Sequence, residues 1–419
     1  MNPILPAHIC IPDVEAHQWG NSKTYLYGSK DIEGDTTYCS PFQHVFSSVD
    51  LLNWVDHGLA FDVKKSHMLE GNHLYAPDCF FKNEKYYLTY CGSDNSEGIA
   101  MSDRPEGPFS EGWPVEGADK DAIDPSALCD DDGSVYYFWG QGTLRGAKLS
   151  DDLKSIDTST FKPALLNEAE HGFHEGPSIR KHNGIYYMVY CDSSRGKATS
   201  LAYATSEHPL GPYLKRGIII DNAGCDPSNW NNHGSIEKIN EKWYIFYHRA
   251  SHDSKFNRRV CIEPIQMNED GTIDEVEMTT QGVSGPILAN QPVEAYRACK
   301  LSGKLYSASS AEDDNCGNIL THAVSKDCAT YKYLSFSKTI SQFHCRVTTP
   351  KTGGVMEVRL DDSEGVLLAT CEIPSTGSWH SWQEIQANLN EPIEGEHAVC
   401  LIIRGAKGRV ADISKFWFS

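Results

Sequence analysis

Apolar and polar positions alternate in short runs over the first 290 residues, and five of these runs carry one signature. They are KTYLYGSKD (23–31), KYYLTYCGSD (85–94), SVYYFWGQG (134–142), GIYYMVYCDSS (184–194) and KWYIFYHRAS (242–251). The period-two succession of aromatic, aliphatic and polar residues predicts strands, and each run follows a turn-forming stretch (GNS, KNE, DDGS, HNG or NE). Aligned on Tyr25, Tyr87, Tyr137, Tyr187 and Tyr244, the copies recur at intervals of 62, 50, 50 and 57 residues. Further short β-like runs lie between them, and no segment holds a 3.6-residue period long enough for a crossover helix. Four-stranded units of this size repeated around an axis make a β-propeller, and five copies predict five blades. A β-sandwich of similar length competes with this reading but does not explain the even spacing.

A second pattern precedes the first. Nine to thirteen residues before each aligned tyrosine stands a short apolar segment with one polar residue: Asp13 in IPDV, Asp78 in APDC, Asp124 in IDPSA, Glu175 in HEGPSI and His233 in NNHGSI. The first strand of a propeller blade lines the central channel, so these side chains are expected to converge near the axis. Buried carboxylates are costly unless paired or functional. Taken singly, each ends a strand by accepting from a backbone amide; taken as a ring, they form an acid/base site. Asp78 keeps the structural reading.

After GPILANQPVEA (285–295) the blade repeat stops. YLSFSKTI, HCRVTTP, GVMEVRLDD, VLLATCEI, HAVCLIIRG and ISKFWFS then alternate as closely spaced strands, as in a sandwich. The chain is therefore expected to be all-β, with a five-bladed propeller over 1–290 and a β-sandwich (jelly roll) over 291–419.

Composition narrows the function. A net charge of −20 opposes nucleic acid and anionic lipid, no apolar run reaches membrane-spanning length, and a neutral or cationic substrate is expected. The 14 cysteines stand singly in strand-like runs without a C-x-x-C pair, which reads as buried free thiols of a reducing compartment. MNPILPAHIC lacks the cationic and apolar regions of a secretion signal. Both point to the cytoplasm, or to secretion if a signal was removed.

Two carboxyl groups facing a sugar hydrolyse a glycosidic bond when one protonates the leaving oxygen and the other activates water or attacks carbon. A third can orient the first and tune its pKa by like-charge repulsion. Asp13, Asp124 and Glu175 suit these roles, and their spacing does not say which is which.

The ordered segments IPDVEAHQWGNSKTYLYGSKD, YAPDCFFKNEKYYLTY, IDPSALCDDDGSVYYFWG, HEGPSIRKHNGIYYMVY, NNHGSIEKINEKWYIFYHR and CIEPIQMNEDGTI resemble successive blades of family 43 glycoside hydrolases. The resemblance implies a five-bladed inverting glycosidase that releases arabinofuranose or xylose from arabinan, arabinoxylan or derived oligosaccharides. It implies Asp13 as general base, Glu175 as general acid and Asp124 as the residue that orients the acid and adjusts its pKa. Inversion implies carboxyls about 6.5–9.5 Å apart. His233 matches a family histidine near the axis, beside a Ca²⁺ ion or an ordered water; no cofactor is otherwise required and no protein metal ligand is assigned. Arg259 matches a sugar-contacting arginine, with Arg258 as the alternative. Tyr75 in Tyr-Ala-Pro stands where many relatives have Trp, which makes a smaller pocket wall. The C-terminal third resembles family 6 carbohydrate-binding modules through GGVMEVRLDDSEG, IPSTGSWHSWQEI and KFWF. That resemblance implies Tyr333 and Trp379 as sugar-sandwiching aromatics, although Asp412 replaces a usual asparagine. Alternatives of other kinds are a galactofuranosidase or galactan-cleaving enzyme and a non-catalytic carbohydrate-binding protein.

Overall fold

The computed structural model describes residues 1–20, 22–68, 71–118, 122–311 and 316–419. The predicted turn GNS includes Asn21, which lies outside the described residues. Blade 1 consists of β1 (Glu15–Gln18), β2 (Thr24–Gly28), β3 (Phe42–Ser48) and β4 (Val55–Asp62). Blade 2 consists of β5 (Asp78–Lys82), β6 (Lys85–Cys91), β7 (Glu97–Ser102) and β8 (Trp113–Pro114). Blade 3 consists of β9 (Ser126–Cys129), β10 (Val135–Trp139), β11 (Thr143–Lys148) and β12 (Lys162–Asn167). Blade 4 consists of β13 (Phe173–His182), β14 (Ile185–Asp192), β15 (Ser200–Ser206) and β16 (Leu214–Asp221). Blade 5 has β17 (Ser235–Ile239), β18 (Lys242–Ser251) and β19 (Ser254–Ile265). Within each blade the strands pair antiparallel in sequence order, and the five aligned tyrosines all stand in second strands.

The second strands read as nearly unbroken aromatic runs because both of their faces are buried. In β14, Tyr186, Met188 and Tyr190 pack toward blade 3, whereas Tyr187 and Val189 pack toward blade 5. Each neighbouring pair of blades encloses such an apolar wedge: Tyr25 to Phe109 between blades 1 and 2, Phe80 to Ile156 between 2 and 3, and Leu5 to Ile262 between 5 and 1. The turns before the repeated runs use residues that tolerate positive φ. Asn83 and Glu84, Asn183 and Gly184, and Asn240 and Glu241 are pairs of left-handed residues, as tight hairpins demand.

The inner strands β1, β5, β9, β13 and β17 splay around the axis, and side chains tie them together. Asp78 accepts from Ser126 Oγ and Ala127 N, both at 2.9 Å, and pairs with His17 Nε2 at 2.8 Å. Ser126 Oγ in turn accepts from Ile179 N at 3.2 Å. Arg180 binds Glu15 at 2.8 Å and Glu237 at 2.9 Å, linking blades 4, 1 and 5. Asp78 is thus a strut, as its reading as a structural residue anticipated. The N-terminal segment closes the ring along β19: Ile4 N donates to Val260 O at 3.1 Å, and Asn2 bonds both backbone groups of Ile262.

Two six-stranded sheets form the C-terminal sandwich. One centres on Cys328–Phe336, Gly395–Arg404, Gly354–Leu360 and Leu367–Ile373; the other on Asn318–Ala323, Ala411–Phe418, Gln342–Thr348 and Gln383–Asn388. A single apolar core lies between them. Ile287–Leu288 already pairs with the first sheet, and the preceding segment is stitched to it by Thr280 and Gln281, whose amides donate to Lys332 O. All fourteen cysteines are free thiols. No helix among the described residues is long and apolar enough to cross a membrane.

Candidate active site

Where the inner strands begin, a cavity of about 250 Å³ opens on the axis, lined by Asp13, Asp124, Glu175, Tyr75 and His233 together with Arg258. The fold brings these residues together through local backbone that the sequence did not announce. Asp13 and Asp124 each stand two residues before an inner strand and adopt φ 55°. This left-handed conformation, uncommon for non-glycine residues though tolerated by aspartate, turns both carboxyls toward the axis. In blade 4 the equivalent position is Gly176, at φ 66°, and a Cβ there would lie 2.9–3.1 Å from the His233 ring. Phe173 opposes Asp192, Glu175 opposes Cys191 and Ser178 opposes Val189, so β13 carries one extra residue on either side of Glu175. The bulge re-aims Glu175 into the pocket, and Pro177 is accommodated because a bulge leaves an amide unpaired.

Each carboxyl has a different environment. Asp13 is buried, which opposes its charge, but Arg258 Nη1 donates to Oδ1 at 2.8 Å, and His248 and His233 lie 3.4 and 4.0 Å away. The Arg258 charge, aided by the His248 contact, outweighs burial and holds the Asp13 carboxyl well below the usual carboxylate range. Asp124 has no such cation. Burial first, then the charges of Glu175 and Asp13, push its carboxyl well above the usual range. Glu175 is held at both oxygens, by Gln141 Nε2 at 2.8 Å and Asn231 Nδ2 at 3.0 Å. Burial lowers the pKa of His233 despite the nearby carboxylates, so a neutral imidazole sits 3.8 Å from Asp124. Burial pushes the Tyr75 hydroxyl up to about 12, leaving it a hydrogen-bond donor, and Gln43 and Cys91 fix its backbone.

Arg259 is not in this pocket. It follows Arg258 in β19, and successive strand residues face opposite ways, so its guanidinium points outward to Asn318 in the sandwich. The strand alternation that separates the two arginines was legible; which one faced the axis was not. Arg258 is clamped by Asp31, which accepts from its N, Nε and Nη2 at 2.9–3.0 Å, and its guanidinium lies 4.8 Å over the Tyr38 ring. Asp31, Gln141 and Asn231 lie in the loops at the ends of the repeated motifs and were not singled out, nor was the half-exposed pocket residue Trp230.

The two aromatic residues expected to sandwich a sugar in the C-terminal domain do not face one another. The Tyr333 hydroxyl donates to Glu277 in the interdomain segment. The Trp379 ring lies 3.8 Å beneath the Arg409 guanidinium, itself paired with Asp412 on the other sheet. The aspartate that replaces the usual asparagine thus anchors the cation that covers the tryptophan.

For a metal, the site offers little. Calcium takes about six to eight oxygen ligands, whereas His233 offers a nitrogen and Asp13 is committed to Arg258. The donor set fits a water better than a hard cation. Among the described residues, Glu15, His17 and Asp78 could bring three donor atoms together, but Arg180, Ser126 and Ala127 already bind these carboxylates.

A five-bladed propeller whose axial pocket gathers one cation-paired carboxylate, one buried carboxyl and one amide-held glutamate has the architecture of a glycoside hydrolase. Residues 1–273 match the model of glycosyl hydrolases family 43, and the chain belongs to that family. Residues 270–419 match the family 6 carbohydrate-binding module. A xylosidase/arabinosidase of Thermoclostridium stercorarium is 30% identical over 342 residues, 72% of either chain. An arabinoxylan arabinofuranohydrolase of Bacillus subtilis (strain 168) is 26% identical over 96% of this chain and 89% of its own. The crystal structure of a β-xylosidase/α-arabinofuranosidase from a compost microbial metagenome, in complex with xylotriose, superposes with a TM-score of 0.57 at 30% identity, over 66% of this chain and 97% of that one.

Proposed function

We propose that the protein is an inverting glycosidase that releases single pentose units, α-L-arabinofuranosyl foremost and xylosyl second, from arabinoxylan, arabinan or their oligosaccharides. The observation that carries this reading is the convergence of Asp13, Asp124 and Glu175 on one pocket in three unlike environments. In this reading, Asp13 is ionised and takes a proton from the attacking water. Glu175, held by two amides, protonates the leaving oxygen. Asp124 shares its proton load with Glu175, since two close carboxyls do not both ionise cheaply. Arg258 and Tyr75 supply donors to sugar hydroxyls. The cavity, at about 250 Å³, is smaller than the roughly 300–1,000 Å³ of drug-sized sites, which supports one bound ring and removal of terminal or branching units.

A panel of nitrophenyl glycosides, with sugar analysis after digestion of arabinoxylan and arabinan, tests the assignment. Release of arabinofuranose or xylose is expected, with the opposite anomer appearing first by NMR. Release only from a galactofuranoside overturns the pentose assignment. Asp13→Asn and Glu175→Gln are each expected to lower kcat by about 10²–10⁴, the usual worth of a general acid or base. A Glu175→Gln variant as active as the parent would remove Glu175 from the role of general acid.

A further inference from the structure

Arg258 and Arg259 place the pocket and the sandwich on opposite faces of one strand. Arg258 faces Asp13, while Arg259 Nη2 donates to Asn318 Oδ1 at 2.8 Å, where the sandwich strand Asn318–Ala323 begins. The guanidinium of Arg259 also lies 5.6 Å over the ring of Tyr296. The β2–β3 loop repeats the arrangement. Asp31 faces inward to clamp Arg258, and two residues later Glu33 faces outward, accepting from Ser309 Oγ at the end of sandwich strand Tyr306–Ser309. Glu33 also pairs with His252 Nε2 at 3.0 Å, and His252 N donates to Ser307 O at 2.8 Å. The sandwich therefore grips both segments whose inward residues hold Asp13, one residue from the clamp on β19 and two on the loop. The two aromatic residues expected to sandwich a sugar in this domain are engaged elsewhere, Tyr333 with Glu277 and Trp379 with Arg409.

We propose that the C-terminal sandwich is a positioning element for the catalytic base, with Ser309 and Asn318 fixing the β2–β3 loop and β19 so that Asp31 presses Arg258 onto Asp13. The proposal rests on Asp13 being the base. Small displacements of a reacting group are costly, since a shift of about 1 Å can lower rate by on the order of 10²-fold. Asn318 acts through Arg259 and Arg258, and Ser309 through Glu33, Asp31 and Arg258; neither lines the pocket, so their loss has a smaller effect and a particular one. Loosening Arg258 raises the pKa of Asp13 and moves the acidic limb of the pH profile upward.

The test uses the full chain with Ser309→Ala and Asn318→Ala combined, assayed on the nitrophenyl pentoside the parent cleaves. Expected are a fall in kcat of about tenfold with KM within about twofold, an acidic limb displaced to higher pH, and unchanged circular dichroism. Ser309→Thr with Asn318→Asp keeps the hydroxyl and the acceptor oxygen and is expected to restore parental values. Glu33→Gln weakens the same contact from the propeller side and is expected to shift the limb in the same direction. An alanine pair with the parent's kcat and pH profile, while Asp13→Asn is inactive, overturns the proposal and leaves the enzyme assignment standing. An active Asp13→Asn protein overturns the base assignment itself.

Discussion

The three carboxyl groups differ by what lies within about 4 Å of each. Arg258 depresses Asp13 against the effect of burial, so this carboxyl is ionised throughout the neutral and mildly acid range. The stability this pair contributes is present above the ordinary carboxylate pKa and is lost only as pH falls through the depressed one. Arg258→Lys keeps a charge but loses the fork that spans Asp13 and Asp31. Its kcat/KM profile is expected to show an acidic limb higher by about one unit, equivalent to about 1.4 kcal/mol of lost pairing. Asp124 is raised by burial and then by the charges of Glu175 and Asp13, so its carboxyl keeps a proton well above the usual carboxylate range. Asp124→Asn removes one of the two interacting charges, and the alkaline limb is expected to move to lower pH by on the order of one unit. An unmoved limb would place the shared proton elsewhere.

At the scale of elements, stability resides in the wedges between blades, because second strands have no solvent face. Phe246 is fully buried between blades 5 and 1. Phe246→Ala is expected to cost about 3–5 kcal/mol in denaturant unfolding, the range for emptying an aromatic core position. Phe81, 43% exposed at the end of β5, is the matched control: Phe81→Ala is expected to change stability by about 0.5 kcal/mol or less. Equal effects would contradict the wedge description. The bulge at Glu175 shows the other use of an element: the residues inserted on either side of it cost ladder bonds and deliver a side chain to the axis.

The whole molecule is closed at two seams. The N-terminal segment lies along β19, where Asn2 donates to Ile262 O, Glu263 and Thr279 O and accepts from Ile262 N. Asn2→Ala strands the backbone N–H and C=O of Ile262, at about 1–3 kcal/mol for each stranded group, whereas Glu263 keeps Tyr247 and Thr279, and Thr279 O keeps Arg249. A melting temperature several degrees lower is expected, and an unchanged one would mean that the ring closes without this seam. The second seam joins propeller to sandwich through Arg259, Glu33 and the segment around Glu277.

Much of this was legible in the chain. Period-two aromatic runs at blade spacing predicted the propeller, because a strand buried on both faces has little freedom of composition. A polar residue nine to thirteen positions before each aligned tyrosine marked Asp13, Asp124, Glu175 and His233, because only the start of an inner strand reaches the axis. The tertiary structure alone decided that Arg258 and not Arg259 serves the pocket, since two adjacent arginines are equivalent until a partner fixes which face of the strand is inward. It alone brought Asp31, Gln141 and Asn231 to the carboxyls and closed Trp379 under Arg409. Those contacts join residues distant in sequence, and their free energy depends on distance and burial, which exist only once the chain has folded.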